Sequence, residues 1–154
     1  MTRLKVIIVD DHVLFQQGLK SILEKESSFD FEVLDCPNSG RALLNSLKNH
    51  HPDLIFLDLN MPDMDGIETL EAVKSQYPNI KIIVLTMYDD SKVVKKVLKA
   101  KVDGYVLKKY GKSQILQAVS RVMDDKTYIS KDIAYHSKDI QPVSYTHLTL
   151  PTKA

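Results

Sequence analysis

The sequence predicts an α/β protein built on a parallel five-stranded sheet with helices on both faces. Five short, nearly all-apolar runs alternate with five segments that carry apolar residues at helical spacing. The runs lack a regular in/out alternation, which is typical of strands covered on both faces. A repeated β-α order implies parallel strands joined by right-handed crossovers. The predicted fold class is therefore α/β with five β-α units.

Each element is read from its own pattern. The predicted strands are 4–10 (LKVIIVD), 31–36 (FEVLDC), 53–58 (DLIFLD), 81–86 (KIIVLT) and 104–108 (GYVLK). The predicted helices are 13–26, 38–49, 65–77, 90–100 and 112–123. The buried stripe of the first helix is predicted to be Leu14, Phe15, Leu19, Ile22 and Leu23. That of the fourth helix is Val93, Val94, Val97 and Leu98, with Lys92, Lys95, Lys96 and Lys99 around it. The last helix leaves Gly111, Lys112 and Ser113 open as its N-cap, and only Ser113 is a strong one.

Composition narrows the class of protein. A chain of 154 residues with 44% apolar residues is long enough for one domain with a real core and a short extra segment. The net charge of +1 gives no global reason to expect a nucleic-acid or membrane partner. A single cysteine excludes an internal disulfide framework and suits a reducing compartment. No apolar run is long enough for a membrane span or a signal peptide, so we expect a cytoplasmic protein.

Polar residues stand at the carboxyl ends of four of the predicted strands. Asp10 and Asp11 end the first strand, Asp58 the third, Thr86 the fourth and Lys108 the fifth. In an open parallel sheet the binding crevice lies at the carboxyl ends of the strands, so we expect these side chains to converge there.

These residue types point to phosphoryl chemistry with Mg²⁺. Clustered carboxylates repel one another unless a cation is present, and hard oxygen ligands suit Mg²⁺. A carboxylate can attack phosphorus, and the transfer needs positioning and charge neutralisation. We expect Asp58 to be the nucleophile, with Asp11 bound directly to the metal and Asp10 acting through water. Lys108 and the Thr86 hydroxyl would hold phosphoryl oxygens. His12 is either a further ligand or the start of the first helix, and we favour the helix start.

At this point the motifs resemble a known family. The segments VIIVDDH, PDLIFLDLNMPDMDG, IIVLT and DGYVLK, in this order and spacing, are similar to the receiver domain of bacterial two-component response regulators. Within that family, DDHVLFQQGL resembles the NarL/LuxR-type group. The resemblance implies a flavodoxin-like (βα)5 three-layer sandwich with strand order 2-1-3-4-5. It also implies that a sensor histidine kinase donates a phosphoryl group to Asp58 with Mg²⁺.

The resemblance assigns further roles by position. Asp10, Asp11 and Asp58 match the metal-binding acids, and the backbone carbonyl of Asn60 would complete the metal shell. Thr86 and Tyr105 match the switch pair, in which phosphorylation draws the hydroxyl toward the phosphate and the aromatic ring turns inward. Lys108 matches the family lysine. A homodimer on phosphorylation is a further implied partner, and no membrane partner is expected.

The pattern changes after the last helix. We expect a receiver at 1–124 and the start of an interdomain linker at 125–142, because DKTYISKDIA resembles the segment that leads to a helix-turn-helix DNA-binding domain. Residues 143–152, VSYTHLTLPT, match one reading frame of a common transposase sequencing adapter. We therefore expect 143–154 to be a non-native tail, the alternative being the natural tail of a single-domain receiver. On this reading, DNA would be bound only through a C-terminal domain that is missing from this chain.

Three functions remain in competition. The first is a receiver that normally controls a LuxR-type DNA-binding domain, and the second is a stand-alone receiver that acts through protein contacts. The third is a Mg²⁺-dependent aspartyl phosphohydrolase of the haloacid-dehalogenase type. Such enzymes carry a second aspartate two residues after the first, where this chain has Asn60, so we disfavour it. We expect no enzyme activity beyond self-phosphorylation and slow autodephosphorylation.

Overall fold

The fold is described from a computed structural model, which covers residues 3–59, 66–87, 91–109 and 111–130. The strands are β1 (Arg3–Val9), β2 (Asp30–Asp35), β3 (Leu54–Leu57), β4 (Lys81–Thr86), β5 (Gly104–Leu107) and β6 (Tyr128–Ile129). The helices are α1 (Val13–Glu24), α2 (Gly40–Ser46), α3 (Gly66–Gln76), α4 (Ser91–Lys99) and α5 (Lys112–Met123). The chain divides into two compact units, Met1–Ile82 and Ile83–Ala154, which are described separately below.

The strand order confirms the predicted fold class. The strands form one sheet in the order β2-β1-β3-β4-β5-β6, which is the expected 2-1-3-4-5 order with a short sixth strand added. The pairings of β1 with β2, β1 with β3, β4 with β5 and β5 with β6 are all parallel. The sixth strand lies in the segment predicted to begin a linker. Its two residues are too few to give a periodic signal in the sequence.

In the first unit, β1 lies between β2 and β3 and carries the core. The residues Val6, Ile7, Ile8 and Val9 are at most 1% exposed, as the all-apolar pattern predicts. The β1–β3 register pairs Val6 with Leu54 and ends at Val9 with Leu57. At the opposite end of β3, Asp53 donates its N–H to the Lys5 carbonyl and accepts the Lys81 N–H at its own carbonyl. Its side chain accepts the Lys5 N–H at 2.9 Å, which is a structural role.

The predicted buried stripe of α1 is partly wrong. Leu14 is 86% exposed and Ile22 is 36% exposed, whereas Leu19 and Leu23 are buried as predicted. The third buried position is Gln16, which lies three residues before Leu19 and seven before Leu23. The helix is therefore rotated so that a polar side chain faces inward, because Gln16 finds hydrogen-bond partners there.

In the second unit, β4 and β5 pair from Ile83 with Gly104 to Thr86 with Leu107. A Cβ added at Gly104 would lie 2.9 Å from Cγ1 of Ile83, so the glycine permits close packing there. The α4 stripe is confirmed at its centre: Val94, Val97 and Leu98 are buried, and its four lysines are exposed. The N-cap of α5 is Gly111, without a side-chain cap, and not Ser113.

Some predicted features lie outside the described residues. These are the backbone carbonyl of Asn60, the rest of the loop at 61–65, and residues 131–154, which include the expected tail. Within the described ranges, every helix falls short of the length and hydropathy that crossing a bilayer requires.

Candidate functional site

The acidic turn that follows β1 is held by backbone contacts. Asp10 is 1% exposed, and its N–H donates to the Pro37 carbonyl at 3.2 Å. Its carboxylate oxygen Oδ1 accepts the backbone N–H of His12 at 2.8 Å. This short loop places a buried carboxylate directly at the carboxyl end of the central strand of the first unit. These two contacts hold the backbone and the Oδ1 atom of Asp10 within the turn.

Asp58 is placed beside this turn by the pairing of β1 with β3. Its N–H donates to the Val9 carbonyl at 2.9 Å, which extends the ladder one residue beyond the Val9–Leu57 pair. Asp58 is only 3% exposed, so its carboxylate lies at the buried edge of the core, where β3 ends. Parallel strands in register end at the same edge, which explains why the residues after Val9 and Leu57 meet.

The structure brings three predicted acids together. One ligand atom each from Asp10, Asp11, His12 and Asp58 lie within 4.8 Å of one another. Carboxylate oxygens at such spacing are the donor set that a hard divalent cation prefers. Asp11 is exposed while Asp10 and Asp58 are buried, so the cluster is open to solvent on one side. The residues present therefore fit the Mg²⁺ that the sequence predicts.

His12 is the N-cap residue of α1, as favoured, but its ring also enters the cluster. Its Nδ1 lies 3.0 Å from Oδ1 of Asp10 and 3.2 Å from Oδ1 of Asp11. A carboxylate oxygen can only accept, so the ring donates through a protonated Nδ1 in this arrangement. The imidazole therefore hydrogen-bonds to Asp10, and the same ring nitrogen lies beside the Asp11 carboxylate.

Close packing fixes the chain directly after Asp58. A Cβ added at Gly66, the first residue of α3, would lie 2.5 Å from the Leu59 carbonyl oxygen and would also overlap the Leu59 Cα. Real Cβ atoms do not approach backbone so closely, and the neighbour here is not a flexible side chain. Glycine at this position therefore permits the start of α3 to pack on the residue that follows Asp58.

In the second unit, Thr86 and Lys108 occupy neighbouring strand ends. Thr86 is fully buried at the end of β4, and Lys108 follows β5. The Lys108 N–H donates to the Thr86 carbonyl at 2.7 Å. The hydroxyl and the amine that the sequence singled out are thus carried on backbones that are hydrogen-bonded to each other.

Tyr105 shares a sheet face with Thr86. The β4–β5 register pairs Thr86 with Leu107, and Tyr105 lies two residues before Leu107, so alternation places all three side chains on one face. The Tyr105 side chain is fully buried. Its carbonyl accepts the Ser130 N–H at 2.9 Å, which ties the segment after β6 to this residue.

The fold and the acidic cluster together define a class: an α/β protein with a parallel sheet and, after its first and third strands, a group of acids whose spacing could hold a metal ion. The family model of the response regulator receiver domain matches residues 6–120. The chain therefore belongs to the response regulator receiver family.

Individual proteins that resemble this chain are consistent with membership of this family. The transcriptional regulatory protein DegU of Brevibacillus brevis is 33% identical over 134 residues, which are 87% of this chain and 56% of that protein. The response regulator protein VraR of Staphylococcus saprophyticus is 35% identical over 130 residues, 84% of this chain and 61% of VraR. The isolated REC domain of RcsB from Salmonella enterica serovar Typhimurium, solved with phosphomimetic BeF3⁻, aligns with a TM-score of 0.80 at 27% identity. That alignment covers 88% of this chain and 99% of the RcsB domain.

This chain thus spans 56% to 61% of the length of the two curated relatives.

One residue beside the site was not predicted from the sequence. Gln16 reaches the backbone around the acidic turn, and the signal was a polar residue spaced at three and seven from two buried leucines.

Proposed function

We propose that this chain is a phosphorylation switch of a two-component phosphorelay, which takes a phosphoryl group from a sensor histidine kinase onto Asp58. The observation that carries the proposal is the cluster of Asp10, Asp11 and Asp58, whose ligand atoms lie within 4.8 Å of one another beside His12. Water alone can stabilise the charge of a single carboxylate at a strand end. Several carboxylates close together repel one another, so binding of a cation among them is favoured. The reaction would take place in the cytoplasm.

Asp58 acts as the nucleophile in this proposal. One of its carboxylate oxygens forms a bond to phosphorus while the bond from phosphorus to the donor imidazole nitrogen breaks. The electron pair of that bond stays on the imidazole, and Asp58 becomes an acyl phosphate. Its burial and its fixed backbone N–H hold the attacking carboxylate in a restricted position, which favours in-line transfer.

Asp11, Asp10 and Asp58 would hold Mg²⁺, with Asp11 and Asp58 as direct ligands and Asp10 acting through water. The backbone carbonyl of Asn60 is proposed as a further ligand on the strength of the motif. Bound Mg²⁺ supplies positive charge against the phosphoryl oxygens. Because the open side of the cluster is at Asp11, solvent and a phosphodonor would enter from there.

Lys108 and Thr86 are proposed to act on the transferred group. The Lys108 ammonium would pair with one phosphoryl oxygen, and the Thr86 hydroxyl would donate a hydrogen bond to another. The 2.7 Å bond between their backbones supports a joint role, because it fixes the spacing of the two strand ends.

The conformational change would then be transmitted from Thr86 to Tyr105. Movement of the hydroxyl toward the phosphoryl group would open space on the sheet face that both side chains share, and the buried ring would occupy it. This is a shift between two packings that a single new charge biases. We propose that the phosphorylated form dimerises and that its output is control of transcription through a LuxR-type DNA-binding domain. The name of DegU, a transcriptional regulatory protein, supports the link to transcription.

Intact-mass measurement after incubation with acetyl phosphate and Mg²⁺ tests the proposal. The wild-type chain should gain one phosphoryl group, and omission of Mg²⁺ should prevent the gain. Asp58→Asn should abolish it, because an amide is not a nucleophile toward phosphorus. Asp53→Asn is the matched control, since Asp53 stands at the other end of β3 and should leave labelling intact. Full labelling of Asp58→Asn would refute the assignment.

A further inference from the structure

Gln16 is a buried polar side chain of α1 whose amide reaches the backbone around the acidic turn. It is 4% exposed. Its Nε2 donates to the Pro37 carbonyl at 2.7 Å and to the Ile8 carbonyl at 3.1 Å. Both N–H donors of the amide are therefore used, and both go to backbone oxygens.

One of these acceptors is shared with Asp10. The Pro37 carbonyl accepts the Asp10 N–H at 3.2 Å as well as the Gln16 side chain. A carbonyl oxygen has two lone pairs, so it can hold both donors at once. Gln16 thereby fixes the oxygen to which the backbone of Asp10 is bound.

Gln16 also contacts the chain on both sides of Asp10. The Ile8 carbonyl lies two residues before Asp10, and the backbone N–H of Gln16 donates to the His12 carbonyl at 3.1 Å. The second of these bonds is the first backbone bond of α1 and does not depend on the side chain, so the Gln16 side chain itself holds the turn through the Ile8 and Pro37 carbonyls. The buried amide makes two hydrogen bonds, to the Ile8 and Pro37 carbonyls, that an apolar side chain of the same size could not make.

We propose that Gln16 is a positioning residue for the divalent-cation site, which it serves by holding the Asp10 turn in the geometry that the ion requires. The inference rests on the proposed function, because it assigns Mg²⁺ to this cluster. Mg²⁺ demands near-ideal octahedral geometry, so a loosened turn costs affinity even when every ligand is present. Partners that orient metal ligands typically contribute roughly 10–100-fold in affinity.

The test is the Mg²⁺ affinity of Gln16→Leu, measured by isothermal titration calorimetry on the full chain. Leucine keeps the apolar packing but removes both donors, so we expect the Kd to rise roughly tenfold. Ser46→Ala is the matched control. Ser46 is also buried, at 8% exposed, and its hydroxyl donates to Oδ2 of Asp35 at 2.6 Å, outside the turn. In urea denaturation, Ser46→Ala should lose about as much free energy of unfolding as Gln16→Leu, while its Mg²⁺ affinity stays at the wild-type value.

Gln16→Asn gives a second variant should the leucine variant not fold. It keeps an amide, but it is one methylene shorter and cannot span both carbonyls, so its affinity should also fall. An unchanged Kd in the Gln16 variants, or an equal loss in Ser46→Ala, would overturn the inference. Failure of the wild-type chain to bind Mg²⁺ or to accept a phosphoryl group would instead overturn the proposed function. The two failures are therefore distinguishable.

Discussion

The backbone N–H of Asp58 donates to the carbonyl oxygen of Val9 at 2.9 Å, so the residue after β3 is bonded to the last residue of β1. Asp10 follows Val9 directly, and the two buried carboxylates therefore leave the sheet side by side. Because side chains alternate along a strand, a slip of one residue in this register would turn every side chain of β3 to the other face. The register of one strand pair thus decides whether the acidic cluster exists.

Asp11→Asn should weaken Mg²⁺ binding more than tenfold, because the variant loses a charged ligand and not merely a supporting contact. Calorimetry is the suitable measurement, since the chain contains no tryptophan to report binding. Asp30→Asn is the control: Asp30 pairs with Arg3 at 3.3 Å at the start of β2 and should not affect the ion. An Asp11→Asn chain that binds Mg²⁺ normally would contradict the proposed role of Asp11.

Lys108→Ala should slow phosphorylation by acetyl phosphate while leaving Mg²⁺ affinity nearly unchanged. The reason is that its ammonium is proposed to neutralise a phosphoryl oxygen and not to hold the metal. Labelling rate and calorimetric Kd are measured on the same preparations. Lys109→Ala, one residue further along and exposed, is the matched control. If metal affinity fell and labelling did not, the role of Lys108 would be misassigned.

Gly66→Ala should lower the free energy of unfolding by about 1–3 kcal/mol, the usual effect of forcing atoms into a packed space. The added Cβ would meet the Leu59 backbone, so the strain falls on the residue after Asp58, and labelling should slow as well. Gly18→Ala is the control within α1, where nothing lies within 4 Å of the added Cβ. That variant should be neutral or stabilised by up to about 1 kcal/mol, and a similar loss in both variants would refute the packing explanation.

Lys101→Gly should raise the free energy of unfolding by up to about 1 kcal/mol, because Lys101 has a φ of 60° just after α4 and L-residues pay for that conformation. Urea denaturation gives the measurement. Lys99→Gly, at the last residue of the same helix, should instead lower stability by roughly 0.5–1 kcal/mol. If Lys101→Gly were instead less stable, the stabilisation by the lysine side chain would exceed the strain of its positive φ.

Much of the fold was predictable from local pattern. The all-apolar runs of β1 and β3 correctly predicted that these strands are buried on both faces. The buried stripe of α4 at Val94, Val97 and Leu98 was also predicted correctly. The α1 stripe was wrong at Leu14 and Ile22, since hydrophobicity alone ranks leucine above glutamine for the inner face. Gln16 is inside because two backbone carbonyls satisfy its amide, and such partners are distant in the sequence.

The sequence alone determined which chemical groups end the strands, because a run of apolar residues interrupted by Asp10, Asp58 or Thr86 marks both the strand and its limit. The rule that parallel strands end at one edge also predicted that Asp10, Asp11 and Asp58 converge. Only the tertiary structure decided that the His12 ring joins them beside Asp58, that the amide of Gln16 reaches the Pro37 carbonyl, and that Tyr128–Ile129 adds a strand. These features depend on register and on contacts between residues far apart along the chain. Local pattern carries no information about either, because each is fixed by which strands pair and where they align.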